Sequence, residues 1–314
     1  MPSFFDPSLL ESEGGAFVRE DKLDDALRRL IPRAHITKGR FVYPSRSSLH
    51  DLVWNHMDQN HRPFIHRTYD DAMRVHLGPW SAYSLTGFGK WPVVIPVFDG
   101  YFKENGFYQV LCLFGLIVVV NVIECNGTGD DTRMEISWAI ASHRLLRFVH
   151  GPLHRRLLRL NDVQNREDDK IRDRRVELRA AGYRFATDVP DFVNANVVAN
   201  NVVYPPLSQE RSVALADLPE GQPQTMQVGD RAYVLRRTDG AVEVWPGVCP
   251  HEGAPLAAGN VEGHKIKCSW HGLEFAARRL ERGGPPVTIC GARLHLGDDR
   301  VIISPLQQVV ATSA

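Results

Sequence analysis

Towards the C-terminal end of the 314-residue sequence, Cys249 and His251 stand as Cys-x-His, and after sixteen residues Cys268 and His271 stand as Cys-x-x-His. Thiolates and neutral imidazoles bind metals, so two such pairs in short loops describe one four-ligand site. Two chemistries suit it. One is a structural tetrahedral zinc. The other is a 2Fe-2S cluster with two thiolates on one iron and two imidazoles on the other, where exchanging thiolate for imidazole raises the reduction potential. Zinc fingers usually group like ligands as Cys-x-x-Cys and His-x-x-x-His, whereas each loop here mixes the two types, which favours the cluster and electron transfer. Glycine and proline crowd both loops, CPHEGAPLAAG and CSWHG, as they must where backbone amides come close to sulfur.

An electron carrier alone does not need two hundred further residues, and a second constellation lies in WNHMDQNHRPFIH. Asp58 and His61 are three apart and share a helix face, and Pro63 is predicted to break that helix so that His66 turns back towards His61. Two histidines and a carboxylate form the facial ligand set of oxygen-activating non-haem iron. His56 reads as a spare, exposed or hydrogen-bonded. His143, His150 and His154 read as surface residues, with His150 as a helix-end cation beside Gly151-Pro152.

These residues need a scaffold. Residues 20 to 32 have leucine and alanine at helical spacing and end at Pro32, and Ser48 to Asn60 repeats the pattern through Leu49, Leu52, Val53 and Met57, with Pro63 ending it. Between Ser81 and Ala141 five short segments rich in β-branched and aromatic residues, SAYSLTGF, WPVVIPVF, FYQVLCLFG, LIVVVNVIE and RMEISWAIA, predict an antiparallel sheet. A long basic helix over 143 to 181 closes this part. Beyond the Pro-Pro pair at 205 to 206 the pattern restarts as short strands, with Asp239-Gly240 as a hairpin turn. The fold class is therefore α+β, with an N-terminal domain over 1–204 and an all-β domain over 205–314.

CPHEGAPLAAG followed by CSWHG resembles the Rieske domain of bacterial ring-hydroxylating oxygenases over roughly the last hundred residues. The resemblance to respiratory Rieske proteins is looser: those carry an extra cysteine in each loop, where Ala254 and Trp270 stand here, and a hydroxyl residue where Leu273 stands. A potential towards the low end of the Rieske range is implied. WNHMDQNHRPFIH is similar to the Asp-x-x-His-x-x-x-x-His motif of the catalytic domain of the same oxygenases. That likeness implies a helix-grip-like domain, mononuclear Fe(II) bound by His61 and His66, Asp58 as the electron bridge, and Asn55 near the family's asparagine, one residue closer to the aspartate. The family's third ligand, an aspartate on the closing helix, maps onto Glu167-Asp168-Asp169-Lys170-Ile171, with Asp168 first and Asp169 as the alternative. The order of the two domains is reversed relative to the family, whose members pass electrons between subunits of a ring of three.

Together these imply a terminal oxygenase that takes electrons from an external reductase or ferredoxin and uses dioxygen to hydroxylate or demethylate a small apolar substrate. Trp80, Trp91, Phe98, Phe102 and Phe114 are the candidates to line an apolar pocket. The alternative is a Rieske electron-transfer protein fused to a non-catalytic ligand-binding domain. No flavin or nicotinamide fingerprint appears, hence the external donor. Lysine plus arginine balances aspartate plus glutamate at 37 each, so net charge offers no case for nucleic acid. The apolar run Val110 to Val120 is too short to span a membrane and predicts two buried strands around Gly115. MPSFFDPSLLESEGG lacks the features of an export signal, and the five cysteines form no disulfide framework, so a cytoplasmic protein is expected.

Overall fold

The structure is a computed structural model that describes residues 20–66, 71–77, 81–87, 94–103, 105–128, 131–185, 202–229 and 231–306. These divide into two compact units, 20–176 and 177–185 with 202–306.

The first unit starts with helix α1 (Glu20–Leu30) and strand β1 (Ala34–Ser45), followed by α2 (Leu49–Met57), a 3-10 turn (Gln59–His61) and the short α3 (Arg62–Ile65). Strands β2 (Asp71–Leu77), β3 (Ser81–Gly87), β4 (Val94–Lys103), β5 (Gly106–Leu113), β6 (Ile117–Thr128) and β7 (Asp131–His143) form a meander, and β1 pairs with β7. The result is one seven-stranded antiparallel sheet in the order β1-β7-β6-β5-β4-β3-β2. Two of its strands, β1 and β2, are additional to the five expected. A long helix, α4 (His150–Ala180), follows a 3-10 segment at Arg144–Val149.

Alternation along β6 and β7 supplies the core. Val119, Ile123, Cys125, Met134, Ile136, Trp138 and Ile140 face inward with Leu52 of α2 and Phe107 of β5, and Leu153, Leu157 and Leu158 of α4 pack onto them. Gly39 is the register partner of Trp138, and a Cβ there would lie 2.3 Å from the indole, so the ring occupies space that only glycine leaves. The apolar run at 110–120 is two strands, but half-buried ones. Its tip turns through Phe114 and Gly115, both at positive φ, and leaves Phe114 and Leu116 exposed.

Pro63 does not end the helix that precedes it. α2, capped by Ser48, stops at Met57, and Pro63 sits in the first turn of α3, where its missing N–H costs no hydrogen bond. The chain therefore turns at Asp58 and again at His66, the residues that cap the C-terminal ends of these helices.

The second unit holds the last turn of α4, the pair β8 (Arg184–Phe185) and β9 (Val202–Val203), and three further sheets. One is built from β10 (Arg211–Ala214), β18 (Val287–Ile289), β19 (Ala292–Leu296) and β20 (Arg300–Pro305). A second contains β11 (Gln224–Val228), β12 (Arg231–Thr238), β13 (Ala241–Pro246) and β17 (Arg278–Leu280). The third contains β14 (Val261–Glu262), β15 (Lys265–Lys267) and β16 (Glu274–Ala276). Asp239 and Gly240, both at positive φ, make the β12–β13 turn. β16 and β17 pair with different strands, so LEFAARRLERGG crosses between sheets and forms no hairpin. Among the described residues no helix is long and apolar enough to cross a membrane.

Candidate functional site

In the first unit, three donor atoms converge beneath α2 and α3. The Nε2 atoms of His61 and His66 lie 3.3 Å apart, and Asp168 Oδ1 of α4 lies 3.3 Å from each. Donors sharing one ion at about 2.1 Å stand roughly 3.0–3.4 Å apart, so the triangle fits a small divalent metal bound from one side. Both imidazoles are also held from behind. His66 Nδ1 is 3.1 Å from Glu167, and His61 Nδ1 is 3.4 Å from Asp58, carboxylates that stand on the far side of each ring from its Nε2. Asp168 Oδ1 is buried with no directed hydrogen bond, as a ligand oxygen would be. Burial opposes charge on His61, but Asp168 and Asp58 outweigh it and raise its pKa to about 9. Burial and the neighbouring His61 hold His66 below its ordinary value, against Asp168 and Glu167. Asp169 points elsewhere, to the Tyr43 hydroxyl and to Arg172 at 2.8 Å.

The cavity around these donors has a volume of about 70 Å³, and its wall is polar. Asn55, one turn before Asp58, is 1% exposed and lines it. Across the sheet Asp99, Gln109 and Asn121 are register partners: Asn121 Nδ2 donates to Gln109 at 3.0 Å, and Gln109 Nε2 donates to Asp99 at 2.9 Å. Arg62, 3.7 Å from Asp99, supplies the balancing charge. Among the described residues the expected aromatic wall does not form. Phe98 is half exposed on the outward phase of β4 and stacks on Tyr83, and Phe114 is in the exposed turn between β5 and β6. Trp80 and Trp91 and the side chain of Phe102 lie outside the described residues.

Two histidine expectations also change. His150 opens α4 buried between Thr37 (2.9 Å) and Ser142 (2.8 Å), so it is a neutral hydrogen-bonding residue, with burial and His35 lowering its pKa. His56 is not exposed. It stacks on Phe107 at 4.6 Å, and burial takes its pKa down to about 4, with Arg62 and His61 acting in the same direction against Asp99 and Asp168. Because the folded pKa lies below the unfolded value near 6.5, the neutral ring stabilises the fold fully above pH 6.5, and that contribution is lost as pH falls towards 4. Chemical denaturation is expected to show it as a loss of up to about 3 kcal/mol, with a shallower decline in His56→Gln.

Several contributors escaped the sequence reading. Asn161, Gln164 and Asn165 fall at i, i+3 and i+4 of α4, on one face with the expected ligand Asp168 at i+7, and line the same cavity; that helical spacing was the available signal. Glu167 was legible only as a neighbour of Asp168.

In the second unit two loops close in the same way. Cys249 N–H donates to Ala254 O and Gly253 N–H to Cys249 O; Cys268 N–H donates to Leu273 O and Gly272 N–H to Cys268 O, all at 2.8–3.0 Å. Both glycines have positive φ, +85° and +66°, which lets each loop fold back over its cysteine. The two thiols are buried beside each other. The neighbouring Cys249, the His271 ring and the backbone amides of Trp270 and His271 hold the pKa of Cys268 down despite burial. Cys249 is pushed up by the neighbouring Cys268 and by burial, against the backbone amides of His251 and Glu252. His251 and His271 bring their Nδ1 atoms to 3.3 Å with their rings at 80°. Two sulfurs within amide cradles beside two inward-facing ring nitrogens fit the mixed-ligand cluster.

A family profile for the Rieske [2Fe-2S] domain matches residues 211–287, a range that contains all four ligands. Residues 211–287 are a Rieske [2Fe-2S] domain. It implies a 2Fe-2S cluster and an electron-transfer role. Ala254 is fully buried and Trp270 nearly so, and among the described residues every cysteine is free, so this Rieske domain has no disulfide between its loops. Leu178, Tyr183, Phe185, Val202 and Val248 pack together beneath its first loop, with Tyr204 donating to Val248 O at 2.6 Å. No curated protein sequence matches the chain. Solved structures similar to it include norcoclaurine synthase from Thalictrum flavum in complex with dopamine and hydroxybenzaldehyde (12% identity, 38% of this chain and 78% of that one, TM-score 0.34). Others are the di-domain ARO/CYC StfQ of the steffimycin biosynthetic pathway (10%, 55% and 62%, 0.40) and Mll3558 from Rhizobium loti (12%, 43% and 98%, 0.34).

Proposed function

We propose that the chain is the terminal oxygenase of a multicomponent system, with the Rieske cluster reduced by an external reductase or ferredoxin and a mononuclear iron held by His61, His66 and Asp168. The observation that carries the reading is the buried triangle of two Nε2 atoms and one carboxylate oxygen with 3.3 Å edges, in a chain that also has a Rieske domain. Iron bound there supplies reductive activation of dioxygen, since three protein ligands leave positions open. The chain's own residues prepare that site. Glu167 and Asp58 stand at the Nδ1 side of the two rings, so each ring turns its Nε2 towards Asp168. Asp168 offers the anionic ligand, and the side chains of Asn55 and Asn121 give the cavity hydrogen-bonding groups with which to orient a small molecule. The same reading divides the chain into a catalytic part over 1–204 and an electron-transfer part over 205–314, and assembles it as a homotrimer.

Iron counting tests it. Purified, reconstituted protein is expected to contain three irons per chain and His61→Ala two, with the cluster spectrum unchanged. Two irons in the unaltered protein, or a count that His61→Ala does not alter, would leave a Rieske electron-transfer protein with a non-catalytic ligand-binding domain.

A further inference from the structure

The wall of the first unit's cavity is wrong for a hydrocarbon. Asn55, Gln109, Asn121, Asn161, Gln164 and Asn165 put six carboxamides around it, against Ile123, Met134 and Ile136 as its apolar part. Three of the six have spare polar atoms, one of them Asn161 through its Nδ2. Asn55 is 1% exposed, and neither its Nδ2 nor its Oδ1 has a hydrogen-bond partner; Asn121 is 6% exposed, spends its Nδ2 on Gln109 and leaves Oδ1 without one. Buried polar atoms are costly to leave unsatisfied, and a site built to hydrogen-bond a ligand discriminates strongly against a ligand that lacks the matching group. The charges of the wall are already committed: Arg62 faces Asp99, and Asp168 faces the two histidines. The carboxamides therefore call for a neutral ligand. A free carboxamide offers one donor beside one acceptor, which pairs edge-on with another donor-acceptor edge.

We infer that the substrate of this site is a small neutral molecule with an amide-like edge, an N–H beside a C=O as in an amide or lactam, read by Asn55 with Asn121 Oδ1 as a further acceptor. The inference rests on the oxygenase reading only for the chemistry that comes after binding. A cavity of about 70 Å³ accepts a group of a few heavy atoms, so the edge that is recognised is small.

The test uses two probes of equal shape on the full-length, iron-loaded protein: acetamide, and acetone, in which a methyl replaces the amide nitrogen. Binding is followed by ligand-observed NMR titration. Acetamide is expected to bind at least about tenfold more tightly than acetone, and Asn55→Leu, close to asparagine in size, is expected to erase the difference. Equal binding of the two, no binding of acetamide, or a preference that survives Asn55→Leu overturns the inference. Should Asn55→Leu fail to fold, the comparison on the unaltered protein decides alone. Iron is counted on the same samples, which separates the two claims. Selective acetamide binding with two irons per chain keeps the polar pocket and removes the oxygenase, while three irons with no selectivity does the reverse.

Discussion

Asp168→Ala is expected, on the proposed oxygenase reading, to take the chain from three irons to two, with the visible and EPR spectra of the Rieske cluster intact and oxygenase turnover abolished. Removing a partner that only orients a metal ligand commonly costs 10–100-fold in affinity, and removing the ligand itself costs more, so a loss above about 100-fold is the expectation. Asp169→Ala is the informative contrast. Its carboxylate accepts from Arg172 at 2.8 Å and from Tyr43, whose pKa is pushed up to about 12 by burial first and by Asp169 second. Arg172 is fully buried, while Asp169 is about one-third exposed, which discounts the loss to about 1–3 kcal/mol of stability. The third iron should stay. Metal analysis beside a melting curve separates the two variants: one loses iron and keeps most of its stability, the other does the opposite. The reverse pattern would assign the ligand to Asp169.

The degree to which these features were legible depends on how local each one is. Cys249, His251, Cys268 and His271 lie in two short loops whose turn-forming glycines are in the sequence itself, so spacing was enough. His61 and His66 are almost as local, but the physical reason for their meeting differs from the one expected: two helix ends bring them together, with Pro63 starting α3. Asp168, more than a hundred residues away, came only through family resemblance, because no pattern near it fixes what α4 packs against. The polar wall was invisible for a related reason. Asp99, Gln109 and Asn121 are single polar residues in apolar strands, each ordinary alone, and only the register of β4, β5 and β6 aligns them. β1 alternates, yet its threonine, lysine and arginine dilute its apolar signal, while β2 is a short edge strand whose apolar residues are interrupted by Arg74 and His76.

Asp51→Ala is expected to destabilise the first unit by about 3–5 kcal/mol and to empty the proposed iron site without touching a proposed ligand. Asp51 and Arg175 are both buried, at 0% and 1% exposure, and form an ion pair at 2.9 Å; the guanidinium also lies 4.0 Å over the Trp54 ring. Coulomb attraction at such a site is offset by the desolvation of both charges, so the intact pair adds little net stability. Removing one partner is different, because it leaves a buried charge uncompensated. Asp51 also accepts from Ser48 at 2.8 Å in the first turn of α2, so its loss weakens the N-terminal cap as well. α2 carries Asn55 and leads into Asp58 and His61, and α4 carries Glu167 and Asp168; the pair therefore ties together the two elements whose spacing sets the 3.3 Å triangle. The double variant Asp51→Leu with Arg175→Met removes both charges and keeps apolar volume, and it should recover most of the lost stability. Iron content discriminates further: if the pair's role is registration of α2 against α4, the double variant melts near the unaltered protein yet binds the third iron more weakly. Full recovery of both would reduce the pair to charge compensation, and no loss from Asp51→Ala alone would mean that α2 is held against α4 by its apolar contacts.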